Sequence, residues 1–162
     1  MTERGGMTER GSGSTRSVDV GTDLPAIELE LTATTTALQV SGSQDWHRIH
    51  HDPDVAAAAG HESVFYNTGW TQGMLSRLLT DWIGDSPWWL ERLNFQMRAM
   101  NVPGDRVRVA GRITGRGTGE DGVDRVTVDV WIENARAGVT TPGTAVVRLA
   151  LPGSERSAEP GG

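Results

Sequence analysis

The sequence predicts an α+β fold: a single antiparallel sheet wrapped around one long central helix. Three observations predict it. A strand-like alternation occurs near residue 27, an amphipathic helical stripe runs over residues 67–84, and four strand-like segments follow one another from residue 92 onward. The chain has 162 residues with 36% hydrophobic content, the size of one ordinary domain with one core.

The first strand is read from "AIELELTAT", where Ile27, Leu29 and Leu31 alternate with Glu28, Glu30 and Thr32. This is the period-two pattern of a half-buried strand. The chain is then expected to remain extended to a strand end near Ser43. Asp52-Pro53 predicts the start of a short helix, with Asp as the N-cap and Pro in the first turn, and Gly60 predicts its end. In "NTGWTQGMLSRLLTDWIG", Met74, Leu75, Leu78, Leu79, Trp82 and Ile83 recur at helical spacing, with Asn67 as a cap and Gly84 as a stop. The segments "RLNFQMRAM", "DRVRVAGRITG", "DRVTVDVWIEN" and "GTAVVRLALP" then read as four strands of a meander. The turn-rich stretches "NVPGD", "GRGTGEDG" and "ARAGVTTPG" separate them. The helix stripe must be buried, so the sheet has to curl around it.

Residues 1–22 and 153–162 are rich in Gly, Ser and charge and poor in apolar residues, and both are expected to be disordered tails of a 23–152 domain. The near-repeat "MTERGG", "MTERGS" leaves Met1 and Met7 as equal candidates for the first residue.

Composition removes several function classes. The net charge is -6 and no basic stripe stands out, which argues against nucleic acid as a partner. The absence of cysteine excludes disulfides, thiolate nucleophiles and iron–sulfur clusters. All fifteen basic residues are arginine, so Schiff-base chemistry and a lysine general base are excluded too. No apolar run approaches the ~20 residues that span a bilayer, and no signal-peptide pattern opens the chain. The expectation is a cytoplasmic protein with no membrane partner.

The chemistry-bearing stretch is "SQDWHRIHHDPD", residues 43–54, with three of the four histidines and three aspartates. On one continuous helix Asp45 and His50 would point about 140° apart. A bend between Ser43 and Asp52 would instead let both side chains enter one cavity beneath the long helix. A metal site built from His47, His50, His51 and Asp52 is the competing reading. Catalytic zinc sites normally add a ligand from a distant segment, so no metal is expected. Trp82, Trp88 and Trp89 read as core or interface residues.

The stretch "QDWHRIHHDPDVAAAAG", continuing through "SVFYNTGWTQGMLSRLLTDWIG" to "VPGDRVRVAGRITG", resembles the MaoC-like dehydratase family of hot-dog folds. Asp45, four intervening residues, then His50, Asp52 and Pro53 stand in register with that family's hydratase motif. The chain is most similar to single-domain, actinobacterial-type members that resemble subunits of steroid side-chain or bulky enoyl-CoA hydratases. It departs from the family in having His47-Arg48 where Asn-Pro is common, and Asn67-Thr68 in place of His-Gly.

The resemblance implies a hydratase or dehydratase that adds water across an α,β-unsaturated acyl-CoA, with no cofactor beyond the CoA of the substrate. Asp45 and His50 are its implied catalytic residues. Asp45 would take a proton from water, and His50 would orient that water and relay a proton to the α-carbon. Backbone N–H groups near Thr68 and Gly69 would receive the enolate oxygen at the helix amino end. His51 and Asn67 would support the pair from behind. The implied partners are the acyl-CoA thioester and a second hot-dog layer, in a homodimer or a heteromer. Two alternatives stand beside this one: a hot-dog acyl-CoA thioesterase, and a non-catalytic acyl-CoA-binding partner subunit.

Overall fold

A computed structural model describes residues 17–149; residues 1–16 of the tail predicted at 1–22, and the whole tail predicted at 153–162, lie outside the described residues. The element order is β1 (Ile27–Glu30), α1 (Ala33–Ser43), a 3-10 turn (Arg48–His50), α2 (Pro53–Ala58), α3 (Thr68–Ile83), β2 (Trp89–Phe95), β3 (Arg106–Thr118), β4 (Asp124–Asn134) and β5 (Gly138–Arg148). All strands join one antiparallel sheet in the order β1-β3-β4-β5-β2.

The helix α3 forms where its stripe predicts. The Asn67 side chain accepts from Trp70 N at 2.8 Å as N-cap, and Gly84 closes the other end through its N–H to the Thr80 carbonyl at 2.8 Å. Leu75, Leu78 and Leu79 are buried against Val107, Val109 and Ile113 of β3 and Val126, Val128, Val130 and Ile132 of β4. These valines and isoleucines alternate along their strands, so one face of the sheet supplies the core and curls around the helix. Trp82 lies in that core, Trp88 packs at its edge, and Trp89 is about half exposed.

Four expectations need correction. Ala33–Ser43 is a helix and not the continuation of a strand. Thr32 opens α1 with a reciprocal cap: Thr35 N donates to Thr32 Oγ1 at 3.1 Å and Thr32 N donates to Thr35 Oγ1 at 2.8 Å. The Tyr66 hydroxyl, fully buried, donates to the Thr32 carbonyl at 3.2 Å and accepts from Thr36 Oγ1 at 3.3 Å. Side-chain hydroxyls and a tertiary anchor therefore override the β preference of the threonine run.

The last four strands do not form a simple meander, because β2 crosses to the far edge and pairs with β5. Strand β5 begins at Gly138, inside the stretch read as a turn, since Asn134 and Gly138 already close a tight hairpin with Asn134 Oδ1 accepting from Ala137 N at 2.7 Å. Finally, residues 17–22, assigned to the tail, dock on β3: Gly21 N donates to the Ile113 carbonyl at 2.8 Å and Ile113 N to the Thr22 carbonyl at 2.9 Å.

Candidate active site

The sequence from Ser43 to Asp54 is neither strand nor continuous helix. Gln44 takes a left-handed conformation (φ 53°) as the C-cap of α1 and breaks the helix immediately before Asp45. The 3-10 turn then carries His50 inward, and Asp52 caps α2 by accepting from Asp54 N at 3.1 Å and Val55 N at 3.2 Å. The expected bend is present, although it follows a helix end.

That bend brings Asp45 and His50 together. His50 Nε2 lies 3.3 Å from Asp45 Oδ2, with the His50 side chain buried and that of Asp45 42% exposed. The other ring nitrogen, Nδ1, is 3.0 Å from the Phe65 carbonyl oxygen. A carbonyl only accepts, so Nδ1 carries the hydrogen, and Nε2 is the nitrogen left for chemistry. The Phe65 ring packs edge-on against the imidazole, 4.8 Å between centroids, which fixes its plane. A neutral His50 therefore turns the Nε2 lone pair toward a carboxylate oxygen, and one proton placed between the two atoms satisfies both.

Asn67 ties this pair to α3. Its Nδ2 donates to Asp45 Oδ2 at 3.1 Å and to Ser43 Oγ at 2.7 Å, while its Oδ1 caps the helix. Ser43 Oγ in turn donates to the Gln39 carbonyl at 2.6 Å. One buried amide thus joins the end of α1, the carboxylate and the start of α3. The backbone N–H groups of Thr68 and Gly69 meet no acceptor among the described residues, and both residues are exposed. They present two orphan donors at the positive end of a sixteen-residue helix, a step in sequence from the Asn67 amide.

The structure therefore brings together Asp45, His50, Asn67 and the amino end of α3 at Thr68 and Gly69. It does not bring in His51, which is exposed. His47 is also exposed, with its ring 6.3 Å from that of His50. Asp52 is committed elsewhere: the Arg48 guanidinium at 2.6 Å, followed by the Val55 N–H, holds its carboxyl below the usual carboxylate range. Among the described residues no group of three or more histidine and carboxylate side chains is placed to hold a metal ion. Sequence reasoning missed Ser43 and Gln39, because their roles depend on α1, which it did not find.

No family model matches the chain. A 67-residue stretch is 34% identical to the 3-oxo-4,17-pregnadiene-20-carboxyl-CoA hydratase beta subunit of Mycobacterium tuberculosis, covering 41% of this chain and about half (52%) of that subunit. Among solved structures, the ChsH1–ChsH2 complex of Mycobacterium tuberculosis matches with a TM-score of 0.73 and 26% identity over 82% of this chain and 98% of the matched one. The (R)-hydratase of A. caviae involved in PHA biosynthesis matches in fold, with a TM-score of 0.70 and 21% identity over 84% of this chain and 100% of its own. A MaoC-like dehydratase from Rhodospirillum rubrum matches in fold likewise, with a TM-score of 0.67 and 18% identity over 83% and 94%. The curled five-stranded sheet around α3 is the hot-dog fold, which this chain shares with these solved structures.

Proposed function

We propose that this chain hydrates α,β-unsaturated acyl-CoA thioesters, with Asp45 and His50 as the catalytic pair. The observation that carries the reading is the 3.3 Å contact between His50 Nε2 and Asp45 Oδ2 beside the open amino end of α3. A water held by the pair gives one proton to Asp45 as its oxygen bonds to the β-carbon. The electrons of the double bond move toward the thioester carbonyl, whose developing negative charge falls to the N–H groups of Thr68 and Gly69. His50 then relays the pair's proton to the α-carbon, so that hydrogen and hydroxyl are added in balance. No cofactor is needed beyond the CoA that the substrate carries.

A thioesterase would need only a carboxylate and a helix amino end. The buried imidazole with a fixed tautomer adds the proton relay that hydration requires and favours this reading. The likeness to a hydratase beta subunit, and to a chain from a two-component complex, supports work as one layer of a heteromer with another hot-dog subunit, in preference to a symmetric dimer. Among the described residues no helix is long and apolar enough to cross a membrane. A cysteine-free chain acting on CoA thioesters belongs in the cytoplasm.

The test is loss of the conjugated thioester absorbance of a panel of enoyl-CoAs, with the chain alone and with a candidate second layer. Asp45→Asn and His50→Ala are each expected to lower the rate at least ~100-fold, the usual size of an acid–base contribution, with unchanged circular dichroism. Near-full activity in both variants would refute the assignment.

A further inference from the structure

The carbonyl that fixes the His50 tautomer belongs to a peptide unit held at both ends. The Phe65 carbonyl faces His50 Nδ1 at 3.0 Å, and the N–H of the same unit, on Tyr66, donates to the Asn101 carbonyl at 3.0 Å. A peptide unit is planar, so the partner of its N–H sets the direction in which its carbonyl points. Donation by the N–H also polarises the carbonyl and makes it a better acceptor. The strength of the Nδ1 contact therefore depends on where Asn101 sits.

Asn101 lies outside any helix or strand, in a short segment held by three side chains. An Arg136 guanidinium nitrogen donates to the Met100 carbonyl at 2.8 Å, Asn134 Nδ2 to Asn101 Oδ1 at 3.0 Å, and Val102 N to Asp105 Oδ2 at 3.0 Å. Arg136 and Asn134 both donate to that same Asp105 oxygen, so the three holders act as a unit. Asn101 is 1% exposed, and its Nδ2 meets no acceptor among the described residues. A buried donor left unpaired is destabilising. Asparagine is thus kept here for its side-chain oxygen, through which Asn134 grips the segment.

We propose that Asn101, Asn134 and Arg136 are positioning residues for His50, acting through the Phe65–Tyr66 peptide unit. Two acceptors compete for the imidazole hydrogen: the Asp45 carboxylate at Nε2 and the Phe65 carbonyl at Nδ1. A neutral ring carries one such hydrogen, and the carboxylate draws it to Nε2 unless the carbonyl is held in line with Nδ1. Loosening residues 100–102 lets the peptide unit turn, and the ring loses the arrangement that leaves Nε2 its lone pair. That this positioning serves catalysis rests on the hydratase reading, but the contact itself is observed without turnover.

The measurement is proton NMR of the His50 Nδ1–H, assigned by its absence in His50→Ala, beside steady-state hydration of an enoyl-CoA. Asn101→Ala and Arg136→Ala loosen the segment. Val126→Ala, a truncation of the buried core near the other end of β4, controls for lost stability. In the first two variants the Nδ1–H signal should move upfield, as a weakened hydrogen bond requires. Their kcat should fall at least about tenfold with KM within about twofold, the pattern of misplaced chemistry without lost substrate contacts. Neither quantity should move in Val126→Ala. Asn101→Ala removes the unpaired Nδ2 together with the oxygen, so it decides alone should Arg136→Ala fail to fold. A signal unmoved in Asn101→Ala, or moved equally by Val126→Ala, would overturn the proposal. A signal that moves as expected in a protein that hydrates no enoyl-CoA would sustain the positioning and count against the hydratase reading alone.

Discussion

At the scale of single residues, the site depends on which atoms are already committed. His50 Nδ1 is occupied by a carbonyl, Asp45 Oδ2 by an amide, and Asn67 spends both of its amide hydrogens on Ser43 and Asp45 while its oxygen caps α3. Two of these jobs can be separated by mutation. Serine is as good an N-cap as asparagine but is too short to reach the aspartate, so Asn67→Ser should retain most of the stability that Asn67→Ala loses, about 1 kcal/mol for a cap. Both variants should lose roughly ten- to a hundredfold in kcat, because a carboxylate released from its donor can drift by the ångström that positioning requires. Thermal melts beside steady-state rates check this. A rate that followed stability in the two variants would mean that Asn67 acts only as a cap.

At the scale of elements, the β3 entrance and the β4–β5 hairpin are joined by one buried carboxylate. Asp105 Oδ2 accepts from Val102 N at 3.0 Å, Asn134 Nδ2 at 3.1 Å and an Arg136 guanidinium nitrogen at 2.9 Å, and Asn134 also donates to Asn101 Oδ1 at 3.0 Å. Burial pushes the Asp105 carboxyl upward, but the Arg136 guanidinium and the Val102 N–H outweigh it and leave the group below its ordinary value of 3.8. A carboxyl depressed by folding contributes stability that is fully present above the unfolded value and is lost as pH falls through the folded one. Asp105→Asn should therefore destabilise the fold by about 2 kcal/mol near neutral pH, as expected for hydrogen bonds to a charged group. The gap from wild type should narrow below about pH 4, where the unfolded carboxyl begins to take up protons. Urea midpoints at pH 7 and pH 3 decide it; a gap of constant size would remove the carboxylate's charge from the account.

At the scale of the whole molecule, the sheet of the described residues ends in two open edges, β1 on one side and β2 on the other. Among the described residues strand β2 pairs only with β5, and the half-exposed Trp89 begins it. An unpaired edge bearing a large aromatic is a surface that a second layer would cover. Leu38 on α1 and Trp46 beside the pair are each 63% exposed and would be covered with it. Sedimentation should give a mass of at least two layers, either for the chain alone or on mixing with a second hot-dog subunit. A monomer that hydrates a bulky enoyl-CoA at full rate by itself would refute the two-layer reading.

The sequence by itself determined the elements whose signals are local. The stripe of α3, its Asn67 and Gly84 ends, the Asp52-Pro53 start of α2 and the alternation in β3 and β4 all follow from period, capping and turn chemistry within a few residues. The pairing of Asp45 with His50 was legible through the resemblance to a family motif, and its geometry rests on the Gln44 turn. Only the tertiary structure decided the rest, because long-range contacts set it. Helix α1 exists against the preference of its threonines because the Tyr66 hydroxyl, thirty residues away, anchors its first turn. The place of β2 beside β5 depends on which edge of a curled sheet lies free once α3 fills its concave face. The part of the site that depends on α1, namely Ser43 under Asn67, could not be read from a sequence whose threonine run favours a strand, the Thr32–Thr35 cap being too short a signal to outweigh it.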